Sequence, residues 1–294
     1  MTIDKVDLVM WTKNGAITLP YVLLQIDRVI PKEAIRNKIV IDDNSSDQTK
    51  LIASRLGWSV YPNDGKGISD GSNTALKYVE SKSFVSFEQD ILLSPHWWPN
   101  VPRLLNEKDT AIASGIRLPN KPLALRKLLE YNLEQYPKIM EDRDAFHYGK
   151  TLDNTIYRTE IIKKMGGFPR FQKMSLHACV DNVLAKRVYD AGLKWKIDYS
   201  VKSLHIRKGL RDELRHFYWY GSLYPTLEPY IKGKHASAKG FLKKLLFSPK
   251  NGMDLALKLN SPQLIYIYPL IQLALYRGMV SGRKSMCARA PIHV

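Results

Sequence analysis

Cysteine is scarce. Cys179 and Cys287 are the only two in 294 residues, too few for a disulfide scaffold or a multi-cysteine zinc or iron–sulfur site, and in keeping with a reducing compartment. Acids are also short, 28 against 45 Lys and Arg, for a formal charge of +17. The opening MTIDKVDLVM has no basic stretch followed by an apolar one, so a cytoplasmic protein without a signal peptide is expected. No internal repeat or low-complexity tract occurs. What is present is ample core material, 45% hydrophobic and 10% aromatic residues, which excludes a disordered, collagen-like or coiled-coil chain. The length fits two domains, or one α/β domain with an appendage.

The positive charge is uneven. Residues 231–294 hold eleven Lys and Arg against the single acid Asp254, so ten of the seventeen charges sit there. Such a tail implies an anionic partner, whether a phosphate-rich polymer, anionic lipid or a phosphorylated ligand.

Apolar, β-rich runs at residues 6–11, 38–41, 58–61, 84–87 and 110–113 alternate with stretches of helical spacing. Leu19, Leu23, Ile26 and Ile30 share one helical face, and Ala75, Leu76 and Val79 another. This alternation predicts an α/β fold with a mainly parallel central sheet flanked by helices, in which ligands bind at the carboxyl ends of the strands. Those ends are polar, acidic or glycine-rich: Thr12-Lys13-Asn14-Gly15, the run Asp42-Asp43-Asn44-Ser45-Ser46-Asp47, then Asn63-Asp64-Gly65-Lys66-Gly67, and Glu88-Gln89-Asp90. A helical insertion is expected over 119–142.

Each of these has two readings. Asp42-Asp43 is either a turn and helix cap or a carboxylate that accepts from a base or ribose, and the two are compatible. Glu88-Gln89-Asp90 is either a solvated turn or a site for a hard divalent cation that also holds a diphosphate. Asp181 opens a helix with Val180, Val183, Leu184 and Val188 on its buried face, either as a macrodipole-favoured acid or as a general base. His205 follows the strand-like stretch 199–204, as a packed histidine or a metal ligand.

In order, these pieces resemble the GT-A glycosyltransferases, specifically the large inverting family 2, over about residues 5–207. Thr12-Lys13-Asn14 matches the opening Thr-x-Asn, and Asp42, Asp43, Ser45, Asp47 and Thr49 match Asp-Asp-x-Ser-x-Asp-x-Thr. Asn73 precedes an Ala-Leu helix, and Glu88-Gln89-Asp90 stands for the Asp-x-Asp metal motif. Asn154 to Arg158, Gly166-Gly167-Phe168-Pro169, and Asp181 with Leu184, Arg187 and Gly192 follow in the family's order. Glu88 replaces the first Asp of the metal motif, and Val180 replaces the acid that commonly precedes the base.

The resemblance implies transfer of a sugar from a UDP- or GDP-type donor to an acceptor hydroxyl of a glycan, glycolipid or polysaccharide, including lipid-linked acceptors, with inversion. It implies that Asp43 contacts the base with Asp42 beside it, and that Thr12, Asn14, Lys66 and Asn73 line the nucleotide pocket. Asp90 and His205 hold Mn2+ or Mg2+, Glu88 lies nearby or acts on the ribose, and Asp181 takes the acceptor proton. A base in that place favours a hydroxyl over the already ionised phosphate used by polyprenyl- and dolichyl-phosphate sugar synthases, which stand as the alternative together with a non-catalytic nucleotide-sugar-binding relative. A nucleotidyltransferase needs a glycine-rich loop with Arg after the first strand, and a nucleic-acid binder an aromatic platform or recognition helix; neither is present, so no nucleic acid is expected.

The expected division is a catalytic domain over 1–215, with a donor half to about 115 and an acceptor half from 116, then a helical extension over 216–294. Trp97, Trp98 and Trp219 are candidates for shaping the acceptor side. The uncharged run 264–276 spans roughly 20 Å as a helix, short of the about 30 Å hydrocarbon core. Its basic and aromatic surroundings suit peripheral contact with an anionic membrane face, with a hairpin packed on the catalytic domain or a dimer interface as the alternatives.

Overall fold

The computed structural model describes residues 4–139, 149–170, 180–227 and 238–289. They fall into two compact units, residues 1–118 with 146–206, and residues 119–145 with 207–294.

The first unit is built on an eight-stranded sheet of order β3-β2-β1-β4-β7-β6-β8-β5. Its strands are β1 (Val6–Thr12), β2 (Ile35–Asp42), β3 (Ser59–Pro62), β4 (Ser83–Glu88), β5 (Ile91–Leu92), β6 (Thr110–Pro119), β7 (Thr155–Arg158) and β8 (Lys194–His205). β1 pairs in parallel with β2 and β4, and β2 with β3. The pairs β4–β7, β6–β7 and β5–β8 are antiparallel. The parallel pattern therefore holds for the first four strands, and the sheet as a whole is mixed.

Every residue of β1 is buried, as expected of a strand covered on both faces. Its side chains alternate between two cores. Val9 and Trp11 pack with Ile39, Ile41, Leu76 and Phe168, and with the buried face of α7 (Val180–Asp190). Leu8 and Met10 pack with Leu19, Leu23 and Ile26 of α1 (Leu19–Val29) and with Trp97 of α4 (Trp97–Asn100). Burial of each such side chain contributes roughly 1.5–3 kcal/mol, so the two faces fix the sheet and thereby its carboxyl edge. Between these strands lie α2 (Thr49–Arg55), α3 (Gly67–Tyr78) and α6 (Thr159–Lys164). Trp97 is fully buried and donates its indole N–H to the Asn154 carbonyl at 2.7 Å. It is a core residue, not a wall of an acceptor site.

The second unit is helical: α5 (Leu123–Ile139), α8 (Leu210–Leu227), α9 (Ala238–Leu246), α10 (Ser248–Lys258) and α11 (Leu264–Arg289). The insertion is the expected helix, but its Ala124, Leu125 and Leu128 share a core with Ala256, Leu264, Ile267 and Ile271. It thus groups with the C-terminal helices. The boundary expected at 215 falls inside α8, because that helix starts at Leu210 and its apolar face does not change where the composition turns aromatic.

α11 has 26 residues, about 39 Å at 1.5 Å per residue. It continues beyond Tyr276 through Arg277 and Arg283, so the uncharged run alone understates its length. Residues 264–284 are long and apolar enough to cross a membrane by length and composition. α11 also approaches α8 closely. A Cβ on Gly278 would lie 2.0 Å from the Tyr218 carbonyl oxygen, and one on Gly282 2.1 Å from that of Ser222. Glycine is required at both places by contact with backbone.

Candidate active site

The carboxyl ends of β1 and β2 are tied together by their own polar side chains. Asp42 is buried; its Oδ2 accepts the Ser45 N–H at 2.9 Å and its Oδ1 the Thr12 hydroxyl at 3.5 Å. Asn14, at φ +50°, donates its N–H to Ser45 Oγ at 2.8 Å and accepts the Ser46 N–H at 2.9 Å. Asp47 accepts the Thr49 N–H at 3.0 Å, where α2 starts, and the Ala16 N–H at 3.1 Å. Thr12, Asn14, Asp42 and Asp47 therefore shape the loops, and Asp43 is the acid that points away from this scaffold. It accepts the Gly67 N–H at 3.2 Å and the Asn63 amide at 3.3 Å, and pairs with Lys13 at 3.3 Å.

Lys66 is exposed beside this group, with its N–H bonded to Asp70 Oδ2 at 3.0 Å. Asn73 is placed differently. Its amide donates to the Ser69 carbonyl at 2.7 Å and the Phe168 carbonyl at 3.0 Å, while its Oδ1 accepts the Phe168 N–H at 3.0 Å. A Cβ on Gly167, at φ +81°, would come within 2.4 Å of that oxygen. The side chain of Asn73 thus fastens α3 to the Gly166-Gly167-Phe168 turn.

The strongest juxtaposition lies at the end of β4. Ile91 of β5 pairs with His205 of β8, and the Asp90 carbonyl accepts the Ile206 N–H at 2.8 Å. This brackets two side chains 115 positions apart, and Asp90 Oδ2 and His205 Nε2 share a hydrogen bond of 3.0 Å. Gln89 holds the opposite side of the turn by bonding both the N–H and the carbonyl of Lys13, at 2.9 and 3.0 Å. Among the described residues no group of three His, Cys, Asp or Glu has the spacing of a complete metal site; Asp90 with His205 is a two-ligand arrangement.

Two participants escape the sequence patterns. Arg117, near the end of β6, binds Asp153 Oδ2 at 2.5 Å and Glu88 Oε2 at 3.3 Å. Asp153 has no exposure, and a buried carboxylate is stable only when paired and hydrogen-bonded; Thr151 and Asn154 supply the further donors. The signal for Arg117 is a lone cation between Ile116 and Leu118 in an otherwise apolar run, which demands a buried acid nearby.

Charge and burial oppose each other here. Burial, then the Asp153 charge, push the Glu88 carboxyl up to about 8, with the Arg117 guanidinium pulling the other way. Burial likewise raises Asp181, in the first turn of α7, to about 6, again opposed chiefly by Arg117. A carboxylate poised near neutrality is suited to accept a proton.

A parallel half-sheet with acids at successive strand ends, a partly buried cation among them and a His–Asp pair beside them defines a glycosyltransferase of the GT-A fold. The chain belongs to glycosyl transferase family 2, whose pattern matches residues 9–166, more than half of the sequence.

Its fold is similar to that of mannosyltransferase PcManGT from Pyrobaculum calidifontis in complex with GDP-Man and Mn2+, with TM-score 0.64 and 16% identity over 97% of this chain and 88% of that one. S. aureus TarS 1–349 in complex with UDP gives TM-score 0.55 and 15% identity, over 96% and 92% of the two chains. Glucosyl-3-phosphoglycerate synthase from Mycobacterium tuberculosis, in complex with Mn2+, UDP-glucose and phosphoglyceric acid, gives 0.52 and 14%, over 71% and 74%. At these identities the likeness is one of fold. No curated protein matches the sequence.

Proposed function

We propose that the protein is a metal-dependent inverting glycosyltransferase that moves a sugar from a UDP- or GDP-type donor to an acceptor hydroxyl of a glycan, glycolipid or polysaccharide, lipid-linked acceptors included, in the cytoplasm. The observation that carries the proposal is the Asp90–His205 pair, held 3.0 Å apart by the β5–β8 register at a strand end. A carboxylate oxygen and an imidazole nitrogen suit a borderline divalent ion such as Mn2+, and the metal-bound neighbours agree in kind. When bound, such an ion supplies charge neutralisation for the departing diphosphate.

The chain's own groups have separate tasks. Asp43, with Lys13 and Asn63 fixing its orientation, accepts hydrogen bonds from the nucleoside, and Lys66 stands beside it. Glu88, clamped by Arg117, faces the ribose. Asp181 takes the proton from the acceptor hydroxyl as the sugar carbon is attacked opposite its bond to the diphosphate. One displacement with one base inverts the anomeric centre, so no second nucleophilic carboxylate is needed.

The test is proton NMR of the product formed from an α-linked nucleotide sugar. A β-linked product is expected at the earliest time points, and an α-linked product would overturn the single displacement.

A further inference from the structure

An apolar surface on the second unit has no place in the transfer chemistry. On α11, Leu264, Ile267 and Ile271 face the core, where one apolar stripe is all that a water-exposed helix needs. Yet Ile265, Tyr266, Leu270 and Leu273 on its other side are exposed, at 51, 53, 37 and 39%. α10 shows the same pattern four residues apart, with Met253 and Leu257 exposed at 52 and 80%. On α9 and its end, Leu242, Leu246 and Phe247 are exposed. These are consecutive helices, and α9 and α10 both pack against α11. Exposed apolar groups on this scale mark an interaction surface.

The charge around them narrows the occupant. Lys239, Lys243, Lys250 and Lys258 are exposed along α9 and α10, and Asp254 is the one acid in the whole segment 231–294. A second copy of the chain would bring its own cationic segment against this one, so self-association is opposed by charge. A bilayer with anionic headgroups offers both complements, acyl chains for the leucines and phosphate for the lysines.

The geometry points to α9, α10 and the first half of α11 as a docking surface that lies on, and does not cross, an anionic lipid bilayer. A crossing α11 would carry Arg277, about 20 Å along the helix from Leu264, into the roughly 30 Å hydrocarbon layer, where an uncompensated charge is costly. The docking surface is independent of which donor the catalytic unit uses.

Sedimentation of the full-length protein with phosphatidylcholine vesicles, with and without phosphatidylglycerol, tests this. Binding is expected only to the anionic vesicles and is weakened by salt. The double variants L246E/L257E and K239E/K243E each reduce it at least tenfold, with nucleotide binding and the circular-dichroism melt as in the wild type. Leu246 and Leu257 are exposed, so these changes leave the core intact. Absence of wild-type binding, or equal binding by the variants, would overturn the docking surface. So would resistance to extraction by salt and alkaline carbonate, which signifies a spanning helix, or conversion of a dimer to a monomer by L246E/L257E.

Discussion

Asp181→Asn is expected to lower the rate of transfer by about 10²–10⁴-fold while leaving nucleotide affinity within a few-fold of the wild type. The carboxylate stands in the first turn of α7, half-buried, and accepts the N–H of its neighbour Asn182 at 2.9 Å. Asn keeps the shape and the helix start but cannot accept a proton. Because burial raises the carboxyl to about 6, kcat/KM of the wild type falls as the pH drops below about 6, and the residual activity of Asp181→Asn lacks that limb.

The sign for stability is opposite. A folded-state value of about 6 lies above the ordinary 3.8, so between about pH 4 and 6 the unfolded chain loses its proton first and folding becomes less favourable. Asn escapes this penalty. Asp181→Asn is therefore as stable as the wild type, or more stable, at pH 7, a trade of stability against activity seen where a site is tuned for chemistry. Parallel kinetic and thermal titrations check both signs, and a large loss of nucleotide binding in this variant would remove Asp181 from the role of base.

Arg117→Leu is expected to destabilise the first unit by about 3–5 kcal/mol, since it leaves the Asp153 carboxylate buried and uncompensated. That corresponds to a fall in melting temperature on the order of 10 °C for a unit of this size. The guanidinium is also the main group holding Glu88 and Asp181 down. Arg117→Lys restores charge but not the two-sided grip on Asp153 and Glu88, so its expected signature is intermediate stability with the acid limb of kcat/KM moved to higher pH. A charge-neutral variant with unchanged stability would show that Asp153 is not held as an anion by this pair.

Much of this arrangement is legible in the sequence for specific reasons. The first four strands are short apolar runs that end in polar clusters, and nothing else in an α/β chain produces that alternation. The His205–Asp90 contact could be expected only from the resemblance to the family, because 115 residues separate the two and their meeting depends on β5 pairing with β8. The antiparallel half of the sheet left no mark in residue pattern, since strand direction is set by the connections. Trp97, a candidate for the acceptor side, lies in the core instead, where its indole N–H finds the Asn154 carbonyl, a partner 57 residues away that no local pattern announces. The partnership of α5 with the C-terminal helices is likewise invisible locally, because its leucines are equally suited to either unit. Arg117 and Asp153 lie outside every recognised motif, and only the physics of a buried charge connects them.

Calorimetric titration with UDP and with GDP, each with and without Mn2+, on the wild type and on Asp90→Ala, is the most direct measurement of whether the β4 end is a metal-assisted nucleotide site. One of the two nucleotides is expected to bind in the micromolar range with Mn2+, far more weakly without it, and without metal enhancement in Asp90→Ala. Binding that is equal with and without the ion, or equal in Asp90→Ala, would contradict the assignment of Asp90 and His205 as its ligands.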